Sequence, residues 1–462
     1  MKANSIKYIL LTLGISVLLF SCSTTRHYER NPDNAIGLYG TTDTSGISLA
    51  NENWQNLFND PILDSLIAEG LRYNPDLQAA IQRVLASEAY FKQSKAALAP
   101  TLSAQAGYTY ARNSESTNPN GAREYNAAQI RLQSSWEIDF WGKLSSAKKA
   151  AYANYLATDA AQKAVQTRLI SNIALVYYNL LALDAKLEIT EETVQNNIDL
   201  VETLRILKEH GNVTGAAVVQ SEATRYATEV TIPDIEQQIR ETENTMCILL
   251  GRTPGPIVRG DLQDQQANDL LTTGVPSEIL DNRPDVMQAE FNVISAYEMT
   301  NNAKAYFYPS VTLTANAGFE AVDMKDLFDP MSFAANVVGG LVQPVINKRA
   351  NKTRLEVAKA QQEEALLNFK NTLLNAGAEV SDALAQYDAS EQKIELRSRQ
   401  LEALEKSVDY TKELLVYGSA TYTEVLIAQQ SLLNAQLNNV NDHIQQLNAV
   451  VELYRALGGG WK

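Results

Sequence analysis

At 462 residues the chain has room for two or three globular domains, and its formal net charge of −15 argues against nucleic acid as a partner. Two cysteines and three histidines exclude a disulfide scaffold. His27, His210 and His443 have no cysteine or carboxylate at ligand spacing, so no metal site is expected. No nucleophile, base and orienting group fall together, so the expectation is a protein with neither enzymatic activity nor a cofactor.

Lys2 and Lys7 lead into a mostly apolar run over residues 8–20, too short to cross a bilayer as a helix, and residues 1–21 read as an export signal. The run closes on Leu-Leu-Phe-Ser-Cys at residues 18–22, which resembles the lipobox of bacterial lipoproteins. That likeness implies cleavage before Cys22 and a diacylglycerol on its thiol. Ser23, not Asp, follows, which in lipoproteins of the enterobacterial type favours release to the outer membrane. An ordinary secretory signal with a cysteine nearby is the alternative, and either way the chain leaves the cytoplasm. Residues 22–53, rich in Thr, Ser, Gly and Asn, read as a lipidated linker.

A first structural unit is expected over residues 54–260. Trp54 opens a helix whose Leu63, Leu66 and Ile67 share a face, Asn74-Pro75-Asp76 breaks and recaps it, and Pro100 stops the next helix. The period then switches to two, giving a β-hairpin over 101–140. Leu102, Ala104, Ala106, Tyr108 and Tyr110 form one face of its first strand; Ile130, Leu132, Trp136, Ile138 and Phe140 form one face of its second. Strands of about 10 residues, apolar on one side and polar on the other, suit a transmembrane β-barrel with lipid outside and water within. An exposed hairpin on a soluble sheet alternates in the same way. By parity Gln129, Arg131, Glu137 and Asp139 face the water-filled lumen, where carboxylates favour cations and hydrated solutes. A long helix follows from Lys143 to about Glu209, carrying Leu169, Ile173, Val176, Leu180, Leu183, Leu187 and Val194, and Gly211 supplies its stop. Pro233 in the return helix should kink it or need a compensating contact, and Cys247, beside Met246 and Ile248, reads as buried core.

Residues 261–282 read as a connector, and 283–462 as a second unit. Here β-strands are expected over 310–346, then a rod from Lys348 to Leu415, a stop at Gly418 and a return helix to Leu457. Every seventh residue from Leu366 through Leu373, Val380, Tyr387, Ile394, Leu401 and Val408 to Leu415 is uncharged. Such a seam keeps one stripe against a partner helix, and about 68 residues at ~1.5 Å each make a rod on the order of 100 Å long. Asn74-Pro-Asp recurs as Arg283-Pro-Asp, Pro100 as Pro309, Gly211 as Gly418 and Leu250-Gly251 as Leu457-Gly458, all at an offset of roughly 205 to 209 residues. The chain reads as a two-fold internal repeat.

These segments together resemble the TolC-like outer-membrane efflux proteins, in the lipoprotein branch that serves RND-type tripartite pumps. The likeness is carried by residues 54–80, by Val275-Pro-Ser-Glu-Ile-Leu leading into Arg283-Pro-Asp-Val, by Tyr417-Gly418 followed by Val425-Leu-Ile-Ala-Gln, and by the ending Tyr454-Arg-Ala-Leu-Gly-Gly-Gly-Trp461. The resemblance implies an α+β membrane protein of the outer membrane of a Gram-negative bacterium. Four transmembrane strands per chain would close a twelve-stranded barrel in a homotrimer, continued by a coiled-coil helical tunnel in the periplasm. A chain with four strands cannot close a barrel alone, so its edges must meet other chains. The implied function is a passive conduit that exports small toxic compounds, with a periplasmic adaptor protein, an inner-membrane RND-type pump and outer-membrane lipid as partners. The exit duct of an ABC-driven type I protein secretion system is the alternative, and a coiled-coil spacer lipoprotein a third reading that needs no amphipathic strands. The six methionines are scattered and single out no soft metal as cargo. The glycine turns are expected to dock the adaptor through Gly211, Val213, Val218, Gly418, Val425 and Leu426. The family's periplasmic gate maps onto Asp409, Lys412 and Glu413, although Leu415 stands where the family usually has Tyr.

Overall fold

The computed structural model describes residues 28–30, 53–112, 114, 124–265 and 278–462. The export signal, Cys22, His27 and most of the linker and connector lie outside the described residues. In chain order the elements are α1 (Trp54–Phe58), α2 (Pro61–Tyr73), α3 (Pro75–Ala96), β1 (Thr101–Arg112), β2 (Glu124–Ile138), α4 (Lys143–Glu209), α5 (Gly215–Glu229) and α6 (Thr231–Leu250). Then come α7 (Ile279–Asn282), α8 (Pro284–Ala305), β3 (Ser310–Ala321), β4 (Phe333–Val342), α9 (Ala350–Val416) and α10 (Tyr422–Leu457). The protein is thus mostly helical with one four-stranded sheet. It divides into two compact units, each drawing on both halves of the sequence, so the units cut across the sequence repeats.

The first unit holds residues 85–158 and 289–368 together with the described residues before Asn31. Its sheet is antiparallel in the order β1-β2-β3-β4. The register sets Ala104 beside Leu132, Leu132 beside Ala317 and Ala317 beside Ala335, so one apolar face runs unbroken in parity across all four strands. The opposite face carries Gln105, Arg131, Gly318 and Ala334 in the same row. A one-residue slip in any pair would mix the faces, so the alternation itself fixes the register. Around the sheet's helical end, Asn302 Nδ2 donates to the Lys143 carbonyl at 2.7 Å and Asn351 Nδ2 to the Tyr306 carbonyl at 2.7 Å. These side chains satisfy backbone acceptors where strand gives way to helix. The short described N-terminal stretch packs on α8, where the Arg30 guanidinium grips the buried Glu290 carboxylate and Tyr28 meets Tyr297 edge-on.

The second unit contains residues 159–288 and 369–462 with the described residues from Asn53 to Val84. Its core is aliphatic and dense: Ile170, Ile173, Leu180, Leu181 and Leu204 of α4 are fully buried, as are Leu63 and Ile67 of α2. The heptad seam of α9 is realised, with Leu373, Val380, Val408 and Leu415 buried and Phe369, Ala376 and Ala383 buried three residues beyond seam positions. Pro233 produces no kinked continuous helix. The helix is interrupted at Val230, so Pro233 falls in the first turn of α6, where its missing N–H is not needed. Cys247 is buried and its thiol donates to the Gly255 carbonyl at 3.5 Å.

The two return helices end in the same way. Asn74 Nδ2 donates to the Leu249 carbonyl near the end of α6 at 2.9 Å, and Arg283 Nη1 donates to the Ala456 carbonyl near the end of α10 at 2.9 Å. Gly251 and Gly458 turn these ends at φ 72° and 90°. No helix among the described residues is long and apolar enough to cross a membrane.

Candidate functional site

The sheet presents two chemically opposed faces. On the polar face Arg131 Nε donates to Gln105 Oε1 at 3.0 Å, Gln105 Nε2 to Gln133 Oε1 at 3.0 Å, and Asn316 Nδ2 to Asn336 Oδ1 at 3.0 Å. These amide links across strands tie the register on the side where no apolar packing does so. Gln129 lies on that face opposite Glu320, and Glu137 lies opposite Thr312. Gly318 is required there: a Cβ would overlap the Ile130 carbonyl oxygen and the Arg131 backbone. On the apolar face Leu102 is 71 % and Leu341 69 % exposed, far more apolar surface than a solvated sheet leaves in water. Aromatic rings gather at both ends. Phe319, Phe328 and Phe333 cluster at the β3–β4 turn, while Trp141 stacks on Tyr308 at 4.8 Å at the helical end. An apolar band between two aromatic girdles is the lipid-facing pattern of a membrane barrel.

Asp139 departs from the parity expectation. Strand β2 ends at Ile138, and Asp139 instead caps α4, accepting from Leu144 N–H at 2.9 Å and Ser145 N–H at 2.7 Å. A carboxylate at a helix start satisfies orphan donors and complements the positive end of the helix dipole, which explains its place better than a wet wall does. Glu137 is engaged too, its carboxylate 2.5 Å from Lys143 Nζ. Gln129 and Arg131 are the two predicted lumen residues without a second duty at a helix end.

Within the second unit, the glycine turns sit beside a core of their own. Leu200, Val201 and Leu204 of α4, Val218 of α5, Leu415 of α9, and Val425 and Leu426 of α10 pack into one cluster, with Leu207, Val213 and Tyr422 around it. Val218, Val425 and Leu426, expected as contacts for a partner, are therefore buried and hold two helical hairpins together. Gly211 and Gly418 are exposed at φ 79° and 71°, each with nothing within 4 Å of where a Cβ would stand. Tyr422 Oη donates to Gln220 Oε1 at 3.1 Å, and a capping box of Thr421 and Glu424 starts α10. The surface beside the turns is made by residues that periodicity did not pick out: Tyr417, 75 % exposed, with Val416, Val219 and Ile427. An aromatic directly before a helix-stop glycine was the available signal for Tyr417.

Asp409 and Lys412 line one cavity of about 300 Å³ with Glu192, Glu405, Gln429 and Leu433; Glu413 is exposed outside it. The side-chain oxygen of Gln429 is buried there without a hydrogen-bond partner. Another polar cluster joins α4, α6 and the segment that follows α6. The Arg259 guanidinium bridges Asp184 and the buried Glu243, its Nη1 lying 2.8 Å from Glu243 Oε1. Nearby the Tyr177 hydroxyl donates to Asp60 Oδ2 at 2.7 Å and accepts from Gly260 N–H at 3.2 Å. Burial pushes the Tyr177 hydroxyl well above the usual phenol range, so it remains a donor. Nothing in local sequence pairs residues 75 and 117 positions apart, and this network was not foreseen.

The sequence model described as "Outer membrane efflux protein" matches the chain twice, over residues 66–252 and 275–459. The chain belongs to the outer membrane efflux protein family. Among relatives, the cation efflux system protein CusC of Escherichia coli O6:H1 is 30 % identical over 465 residues, covering 98 % of this chain and 99 % of that one. The probable outer membrane lipoprotein SilC of Salmonella typhimurium is also 30 % identical, with 98 % and 99 % covered. A crystal structure of CusC, described in connection with folding and transmembrane channel formation, superposes with a TM-score of 0.84 at 27 % identity, covering 95 % of this chain and 100 % of that one. The efflux protein described here is accordingly an outer-membrane channel component.

Proposed function

We propose that three copies of this efflux protein close their sheets into one twelve-stranded barrel and pass small toxic compounds outward without chemistry of their own. One observation carries the reading: β1 and β4 each pair on one side only, in a sheet whose apolar face is open. Unpaired strand edges in lipid are untenable, so closure must come from other copies. Strands of 10 to 15 residues meet the about 9–11 that a tilted crossing needs. The twice-matched family sequence supports two copies of one ancestral unit, each contributing two strands and one long helix to the channel.

In this reading the polar face with Gln129 and Arg131 lines the pore. The turns at Gly211 and Gly418 meet a periplasmic adaptor that links the channel to an inner-membrane pump of RND type. Asp409 and Lys412 belong to the periplasmic constriction, and Cys22 carries the lipid. The likeness to a relative named as an outer membrane lipoprotein supports the anchor. Native mass spectrometry of the full chain extracted from membranes tests the assembly and the anchor together. Three protomers are expected, each heavier by a diacylglycerol, with the added mass absent in Cys22→Ala. A monomer overturns the closure, and an unmodified wild-type protomer overturns the anchor.

A further inference from the structure

We propose that the helical end of the sheet binds anionic phospholipid headgroups of the membrane leaflet it enters. The proposal rests on the reading that the sheet crosses a membrane, and adds which lipid the crossing selects.

Between β4 and α9 the chain runs Pro344-Val345-Ile346-Asn347-Lys348-Arg349. Val345 and Ile346 are 92 % and 91 % exposed. Two adjacent large aliphatics standing that far into solvent contribute nothing to the fold of the chain, and an acyl-chain boundary is where such residues gain most. Past Asn347, Lys348 and Arg349 take the left-handed conformation at φ 51° and 67°. A non-glycine residue pays about 1 kcal/mol or more to sit there. Lys352 and Arg354 follow in the opening turns of α9, whose first turn holds no acidic residue, so four cations fall within residues 348–354 of an acidic chain. Cations there oppose the helix dipole, so local folding does not account for them. Arg349 pairs with Glu356 at 2.9 Å, while among the described residues Lys348 and Lys352 meet no carboxylate.

An aromatic platform adjoins them. Over the Tyr306 ring lie Arg354, 3.7 Å from its centroid, and Lys143 at 5.0 Å. Trp141 Nε1 donates to the Pro309 carbonyl at 2.9 Å and stacks on Tyr308. Between these rings and Pro344 lies a cavity of about 210 Å³; Glu137 and Asp139 also line it, their carboxylates taken up by Lys143 and by the Leu144 and Ser145 N–H groups. Apolar tips, amphipathic rings and ammonium groups that meet no carboxylate are the three chemistries that acyl chain, glycerol region and phosphate call for. A soluble phosphate would satisfy the lysines and leave Val345 and Ile346 in water, so the lipid is the occupant that uses the whole patch.

The test exchanges the detergent-solubilised full chain with phosphatidylglycerol or phosphatidylethanolamine of identical acyl chains and reads retained lipid by native mass spectrometry. Wild-type protein is expected to retain phosphatidylglycerol with roughly tenfold preference, and Lys348→Gln with Lys352→Gln to bring the preference within about twofold. Inorganic phosphate should not displace the lipid. Equal retention of the two lipids by the wild type overturns the proposal, as does an undiminished preference in the double variant. Displacement by phosphate overturns it in favour of a free-anion site. Val345→Asn with Ile346→Asn is expected to lower retention of both lipids alike. Unchanged retention with separated protomers would assign the apolar pair to contact between copies and remove the lipid site. Flotation of the wild type with vesicles is scored separately: protein that fails to float unseats the membrane reading, whereas protein that floats without selectivity unseats only this one.

Discussion

Four glycines stop helices with positive φ, yet they work in different surroundings. Gly211 and Gly418 turn in open space, so only backbone conformation demands glycine there. At Gly251 a Cβ would come 2.5 Å from the Tyr73 carbonyl oxygen, and at Gly458 it would overlap the Asn282 carbonyl. Gly418→Ala is therefore expected to destabilise by about 1–2 kcal/mol, the cost of a left-handed alanine. Gly458→Ala adds a backbone collision and should exceed about 4 kcal/mol. Thermal loss of helical signal in the two variants checks the order; equal shifts would mean that the closure around Gly458 yields freely. The same distinction shows what single residues reveal in a sequence. Each glycine stop was legible from its place after a helical pattern, but which stop is hemmed in depends on chain far away. Asp139 teaches the converse: parity placed it on a pore wall, while two backbone N–H groups past the strand end claimed it as a cap.

Among the elements, period was the reliable guide and partner the hidden quantity. The seven-residue seam of α9 and the two-residue alternation of β1 to β3 were readable because each encodes its own apolar side. Strand β4, with Gly339 and Gly340, alternates weakly, and its register is set by β3 instead. Val218, Val425 and Leu426 were legible as apolar but not as buried, because the cluster that covers them joins four helices distant in sequence. In the proposed docking, the apolar surface exposed around Gly211 and Gly418 is that of Tyr417, Val219 and Ile427. Gly418→Pro cannot adopt the positive φ of this stop, and is expected to abolish co-purification with the adaptor while leaving the trimer and barrel intact. Full co-purification would remove the turn from the docking surface. For the constriction, Asp409→Ala together with Glu413→Ala should raise basal conductance and sensitivity to vancomycin, because three symmetry-related copies would each lose charge near the axis. The cavity geometry refines this: Asp409→Ala alone should produce most of the change, since Glu413 lies outside the cavity. Wild-type leakiness in the double variant would exclude both residues from a gate.

At the scale of the whole molecule, the long helices and the short strands answer to two solvents. A 67-residue helix such as α9, roughly 100 Å long at ~1.5 Å per residue, needs partners along its length, and the seam supplies one stripe of them. In the proposed channel the sheet takes partners at two edges and lipid on one face, and a single chain supplies neither. What the sequence could not disclose, the Arg259 network and the covered cluster beside the turns, depends on contacts between elements far apart in the chain. The membrane channel itself is tested most directly by single-channel recording from purified full-length protein in a planar bilayer. The trimeric-channel reading predicts discrete, ion-conducting openings without any energy source, with cation preference weakened when the Glu320 carboxylate opposite Gln129 is neutralised by Glu320→Gln. A protein that binds the bilayer and assembles yet never conducts, under any applied voltage or removal of the constriction charges, would contradict it.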